Sequence, residues 1–444
     1  MSAVAAPPAP LPTLPRRPAR RRTELGLIVF SVVLIGGLYA LAGLGKAGSL
    51  PANIGPFLGV IFLLLIIGHL ALRRLAPDAD PILLPVAGLL NGVGYVFIAR
   101  LSSSQAAYQA LWSAIGMGCF VLTLILVKRV RDLERYRYTL GFVGLGLIIL
   151  PLVPHLGEDI GGARLWIHVG SHEFQPGELA KLALAVFFAS ALVERAEQLS
   201  HGTRRIGQLL VIDPKYLGPI VGAWALSLLI FLAENDLGSS FLFFALFVGM
   251  LWVATNRAFY LALGGGLFVG GAVFALKVMG HARTRVEAWL TPFAQPNGYG
   301  YQILHGIFAI ANGGMFGLGP GQSNAAIIPE ASSDMIFAVI AEEIGLVGVT
   351  ALLLAYLLIV GTGLRISIRS EHRFEKLLAL GLSLVIGVQT FVIVGGVTRL
   401  IPLTGITLPF VAYGGSSLIS NYILLALLLR ISDTANRPLM ELRS

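Results

Sequence analysis

Charge and cysteine are what this chain has least of. Of its 444 residues only 12% are Asp, Glu, Lys or Arg, about half the share of a soluble domain. Its one cysteine, Cys119, lies in an apolar run, so no disulfide can form within the chain and no redox role follows. There is no Walker phosphate loop, no nucleophile elbow and no dinucleotide fingerprint. Met1–Thr23 lacks an apolar core followed by a small-residue cleavage site, so it reads as a disordered basic tail and not a signal peptide. The expected contact of that tail is with anionic lipid headgroups.

What is present is apolar length. Hydrophobic residues make up 56% of the chain and the mean hydropathy is +0.81, with repeated runs of about 20 residues that match a bilayer core. The expected fold is all-α and polytopic, with about twelve transmembrane helices. Their starts fall near Leu25, Ile54, Ile82, Tyr108, Tyr138, Glu178, Leu217, Leu237, Phe259, Met335, Lys376 and Ile406. With the N-terminus in the cytoplasm, this count puts 24 of the 32 Lys and Arg in inner segments and seven in outer ones (Lys46, Arg100, Arg164, Lys277, Arg283, Arg285, Arg399). A miscounted span would invert every later loop and scramble that bias. Both termini are therefore expected in the cytoplasm, and the net charge of +9 implies no nucleic-acid partner.

Two outer loops, residues 154–177 and 280–333, exceed the length of simple connections. Each mixes Arg, Trp, Tyr, His, acids and glycine. At the end of the second, Asp334 enters an apolar helix that also holds Glu342 and Glu343. Carboxylates in such a segment pair, line a wet cavity or do chemistry. Asp334 after Ser332 and Ser333 also fits ordinary helix N-terminal dressing, which is compatible with catalysis. For Glu342 and Glu343 the leading expectation is structural pairing to a buried cation such as Lys181 or Arg399. Glu178 and Lys181, three apart after Pro176, read as a buried ion pair, and Asp236 as a cap for the next helix. Arg164 beside Trp166 suits an interfacial anchor with an anion grip, and Arg283, Arg285 and Arg399 would share its level. The outer-side histidines match no compact zinc spacing. A divalent cation, magnesium or manganese, bridging a pyrophosphate to carboxylates stays open, and no organic cofactor is expected.

Five segments carry a resemblance. They are GGARLWIHVGSHEFQPGELAKLAL, NDLGSS, GYGYQILHGIFAIANGGMFGLGPGQS, PEASSDMIFAVIAEEIGLVG and ITLPFVAYGGSSLISNYILLALLLRIS. In this order, over about Ile82 to Ser432, they resemble the SEDS family, the FtsW/RodA/SpoVE proteins of bacterial wall synthesis. The resemblance divides the chain into a tail (1–24), two extra spans (25–80), a family core (81–432) and a short cytoplasmic tail (433–444). The two added spans resemble the arrangement of actinobacterial RodA-like members.

That resemblance implies a peptidoglycan glycosyltransferase. It would polymerise lipid II, the undecaprenyl-pyrophosphate-linked disaccharide-peptide, outside the cytoplasmic membrane. The family's essential acid falls on Asp334, its Trp on Trp166, and its Glu and Lys on Glu178 and Lys181. A class B penicillin-binding transpeptidase is the implied partner, along with membrane lipids. Four positions depart from the family pattern: Ala326 replaces an acid, Ser332-Ser333 replaces His-Thr, and Thr404 stands where division-type members often carry Lys. The last favours an elongation role. Asp334 would be the general base, the outer arginines would stabilise the leaving pyrophosphate, and direct displacement would invert the anomeric centre. The rival readings are a division-type enzyme, a lipid-precursor flippase, a secondary transporter and a scaffold.

Overall fold

A computed structural model describes residues 19–160, 163–170, 172–200, 204–206, 209–211 and 214–437. The expected tails lie outside the described residues up to residue 18 and from residue 438. Among the described residues, fifteen α-helices and five short strands follow one another. They are α1 (Ala19–Ala47), α2 (Ile54–Leu75), α3 (Leu83–Leu101), α4 (Ser103–Leu126), α5 (Asp132–Arg135), α6 (Arg137–Ile149), β1 (Gly157–Ile160), β2 (Ala163–Val169), β3 (His172–Phe174) and α7 (Gly177–Ser200). Then come β4 (Arg204–Ile206), β5 (Leu209–Val211), α8 (Pro214–Ala233), α9 (Leu237–Thr255), α10 (Phe259–Val278), α11 (Gly280–Leu290), α12 (Tyr301–Gly313), α13 (Ile336–Arg369), α14 (Arg373–Val397) and α15 (Gly415–Asn436).

Eleven of the twelve expected spans begin within six residues of a helix start. Nine described helices are long and apolar enough to cross a membrane. This is an all-α, multi-pass membrane protein. α1 begins inside the expected tail, where Arg21 pairs with Glu24 and donates to the carbonyls of Ala76 and Ala79 (2.9 and 2.8 Å). The twelfth span corrects the sequence expectation. Its helix starts at Gly415 and not at Ile406, because residues 401–414 run as irregular chain. Pro402 and Pro409 supply no N–H to a helix, and Gly405 and Phe410 have φ of +76° and +64°.

The two ends of the bundle differ. At one, Arg430 of α15 donates to the carbonyls of Leu75, Leu124 and Val127, capping the ends of α2 and α4, while Asp433 accepts the Asp78 N–H (2.8 Å). Orphan carbonyls at helix ends need such donors. The start of α1 and the end of α15 therefore share this end. The opposite end holds the irregular stretches 314–335 and 401–414. Residues 157–174, within the expected outer loop 154–177, form a three-stranded antiparallel sheet ordered β1-β2-β3. Between the ends, α7, α9, α13, α14 and α15 carry most of the buried apolar core. A separate cavity of about 210 Å³ lies between α2, α3, α4 and α15, floored by Asn91, Ser113 and Tyr422. It includes none of the expected site residues.

Candidate active site

α13 is a broken helix. Gly345 sits at φ +64°, ψ −171°, a conformation open in practice only to glycine. The break frees carbonyls that the glycine-rich stretch after α12 satisfies: Leu318 N–H donates to Glu342 O (2.9 Å) and Gly319 N–H to Glu343 O (3.0 Å). In return Leu346 N–H donates to Gly314 O (2.9 Å) and Val347 N–H to Met315 O (3.1 Å). Irregular backbone at such depth survives only when protein groups pair it. The result is a short helical piece, residues 336–344, with Asp334 just before it.

Asp334 is half-buried and faces two other segments. Tyr413 N–H donates to Ser332 O (2.8 Å), so the 401–414 segment lies along the Asp334 turn. A Cβ on Gly405 would stand 3.4 Å from Asp334 Oδ2 and 3.3 Å from Arg285 Nη2. Any side chain there would wedge between acid and cation. Arg285 of α11 is held by its own neighbours, donating Nε–H to His281 Nε2 (3.0 Å) and Nη1–H to Leu403 O (3.0 Å). Its charge reaches both Asp334 and Asp236.

These surroundings tune the acids. Burial pushes the Asp334 carboxyl up to about 7, helped by the nearby Glu330 charge and opposed by Arg285. Burial also raises Asp236, against its hydrogen bonds from Ser239 and the Arg285 charge. Glu234, buried beside Asp236, is pushed up to about 9. Burial and the adjacent Arg285 lower His281. A carboxylate whose pKa is brought near working pH is what a general base requires.

Asp236 is the cap the sequence suggested, with Oδ1 accepting Ser239 N–H (2.9 Å). Its Oδ2 is buried without a hydrogen-bond partner among the described residues. Its place beside Arg285 is not legible in the sequence. The same holds for Glu234, Gly405 and the main chain of 403–413. The 401–414 segment spends its backbone on neighbours: Leu403 O takes Arg285, Thr407 O takes Gln389 Nε2 (2.8 Å) and Pro409 O takes the Tyr356 hydroxyl (2.6 Å).

The other expected residues scatter. Arg164 and Trp166 alternate onto one face of β2, and Arg164 N–H donates to Glu234 O (3.2 Å), which fastens the sheet to the turn bearing Asp236. The Arg164 side chain is exposed and Trp166 half-buried. Arg283, two residues from Arg285, points elsewhere on α11 and is exposed. Arg399 is taken up by α11, donating to the carbonyls of Trp289 (2.6 Å) and Leu290 (2.9 Å). Glu178 and Lys181 form the expected ion pair (2.7 Å), and Lys181 also donates to Gln389 Oε1 (3.1 Å).

Glu343 is paired, but with neither expected cation. Its carboxylate meets Arg100 Nη1 (2.6 Å), Gly321 N–H (2.6 Å) and Ser323 Oγ (2.7 Å). Arg100 ends α3, which the helical depth of Glu343 alone does not reveal. Glu342 accepts weakly from Asn312 (3.4 Å), and its Oε2 has no hydrogen-bond partner among the described residues.

Among the described residues no three or more His, Cys, Asp or Glu lie together as a metal site.

Comparison with known proteins identifies the family. The FtsW/RodA/SpoVE family profile, described as cell cycle protein, matches residues 83–437. A peptidoglycan glycosyltransferase RodA of Mycobacterium tuberculosis is 40% identical over 443 residues, covering 97% of this chain and 94% of the relative. The stage V sporulation protein E of Bacillus subtilis is 30% identical over 376 residues, covering 81% and 98%. Among solved structures, the rod shape determining protein RodA of Thermus thermophilus matches with a TM-score of 0.57 at 25% identity, covering 82% of this chain and 100% of that one. A chain from a peptidoglycan synthase complex, described as coordinating polymerization and crosslinking, gives a TM-score of 0.59 at 25% identity, covering 86% and 98%. With its profile match running from α3 to the end of α15, this chain belongs to the FtsW/RodA/SpoVE family.

Proposed function

We propose that this protein is a peptidoglycan glycosyltransferase that polymerises lipid II on the outer face of the bacterial cytoplasmic membrane, with Asp334 as general base. The observation that carries the reading is a half-buried carboxyl held near neutrality beside Arg285, at the loop-rich end of the bundle. The charge bias of the loops supports placing that end outside, with both termini in the cytoplasm.

The acceptor sugar hydroxyl would pass its proton to Asp334 as its oxygen attacks the donor's anomeric carbon. The bond from that carbon to the lipid pyrophosphate breaks, and the bonding pair leaves on the pyrophosphate. Arg285 stands where that charge grows, and its planar fork suits phosphate oxygens. Arg164 and Arg283, both exposed, would meet the anion on its approach, and Trp166 would offer the sugar a flat apolar face. A divalent ion would enter with the pyrophosphate. One base acting in a direct displacement yields inversion, an α-linked donor giving a β-linked product.

The 40% identity to mycobacterial RodA, against 30% to an FtsW of Geobacter sulfurreducens, favours an elongation role over division. The synthase-complex likeness supports a class B penicillin-binding transpeptidase as partner. The test is polymerisation of lipid II by purified protein, with and without that partner, comparing wild type with Asp334→Ala. Polymer from wild type alone supports the reading. No polymer from either, with partner and divalent ions present, turns attention to lipid transport. Equal polymer from both removes Asp334 as base.

A further inference from the structure

The two helices α1 and α2 precede every residue matched by the family profile, yet α1 ends against the machinery just described. Two close backbone approaches mark the contact. A Cβ on Gly45 would overlap the carbonyl oxygen of Pro320, and one on Gly321 would overlap that of Ala42 and come within 2.9 Å of Lys46 N. Only glycine on both sides lets the two chains meet this closely. Polar contacts reinforce the approach: Gln322 Nε2 donates to Gly45 O (2.7 Å), and Lys46 Nζ donates to Arg100 O (2.6 Å).

From there the contacts lead inward. Gly321 N–H and Ser323 Oγ both donate to the Glu343 carboxylate, and Arg100 completes its surroundings by binding Glu343 Oε1 and Ser323 O. Glu343 is fully buried and lies near the end of the short helical piece 336–344. Asp334 lies at the other end, nine residues away, about 13 Å along a helix. The break at Gly345 separates this piece from the rest of α13, so its position depends on what grips Glu343 and on the turn at Ser332.

We infer that the C-terminal turn of α1, through Gly45 and Lys46, positions the loop 319–323, and through the Arg100–Glu343 pair positions Asp334. Gly45, Lys46, Arg100 and Glu343 are positioning residues and touch no substrate. This inference rests on Asp334 being the base, and it makes α1 part of the catalytic unit. A displacement of about 1 Å at a reacting group can lower a rate about a hundredfold, so a shift passed along a rigid helix is read in turnover and not in binding.

The test uses the full-length protein under conditions where wild type polymerises lipid II. Gly45→Leu should lower kcat about tenfold or more while KM stays within about twofold. Gln322→Leu, exposed and on the other side of the contact, should act in the same direction and leaves the buried core untouched, so it decides the matter where Gly45→Leu does not fold. Gly37→Leu, on the same helix with nothing within 4 Å of its added Cβ, should leave both constants unchanged. A lowered melting temperature with unchanged kcat per folded molecule would reduce the contact to plain packing and overturn the inference. A raised KM at unchanged kcat would overturn it too, by making α1 a binding element. Activity retained by Asp334→Asn would instead defeat the site reading itself, a result separable from either.

Discussion

Replacing Asp334 by Asn should stabilise the folded protein at alkaline pH while abolishing polymerisation. The carboxyl is raised from 3.8 to about 7 in the folded state, chiefly by burial. A folded-state pKa above the unfolded one means the native form binds the extra proton between those values, so stability falls as pH rises from about 4 to 7. Above 7 the wild type carries the whole penalty, which at about 1.4 kcal/mol per pH unit over roughly three units comes to about 4 kcal/mol. Partial access of solvent makes that an upper bound. Asn keeps the shape and has nothing to ionise. The assay is unfolding of wild type and Asp334→Asn in the same detergent at pH 8, pH 5 and below pH 4. The expected gain for the variant is largest at pH 8, roughly 1.5 kcal/mol at pH 5, and absent at the lowest pH. A variant no more stable than wild type at pH 8 would refute the argument that burial tunes this acid.

Arg285→Gln removes the cation whose charge holds the Asp334 pKa down, so less of the base is ionised at pH 7. The acidic limb of the kcat profile should move to higher pH, and loss of the pyrophosphate contact should lower the rate about a hundredfold or more. Lys181→Met strands the buried Glu178 and leaves Gln389 Oε1 without its donor. Unfolding should then become easier by about 3–5 kcal/mol, read as a fall in melting temperature. Gly345→Val forces a branched side chain into φ +64° against the backbone of Met315 to Gly317. It should cost at least about 1–3 kcal/mol and lower polymerisation per folded molecule.

Hydropathy located the bundle because span length and charge bias are local properties. It failed at residues 401–414, where LPFVAYGG is apolar enough for a membrane helix. Pro402, Gly405 and Pro409 were the available warning, since the residue before a proline tends to leave the helical region. The sheet over residues 157–174 was legible too: Ala163, Leu165, Ile167 and Val169 alternate with Arg164, Trp166 and His168, the period of a strand. Glu343 and Arg100 are far apart in the chain, and no spacing rule ties a buried acid to a distant cation. The capping role of Asp236 is legible because capping is written within three residues of sequence. Its second role beside Arg285 exists only once α9 and α11 are packed.

Where the 401–414 segment passes Asp334 it presents Gly405, which has no side chain. Substitution changes side chains and leaves carbonyls and amides in place. A small molecule gripping that segment through its peptide groups would bind atoms that mutation cannot delete. Escape would have to come through Arg285, Gln389 or Tyr356, whose hydrogen bonds hold the segment in position. Each such change disturbs the surroundings of the acid, so resistance to a compound of this kind should come only together with slower growth.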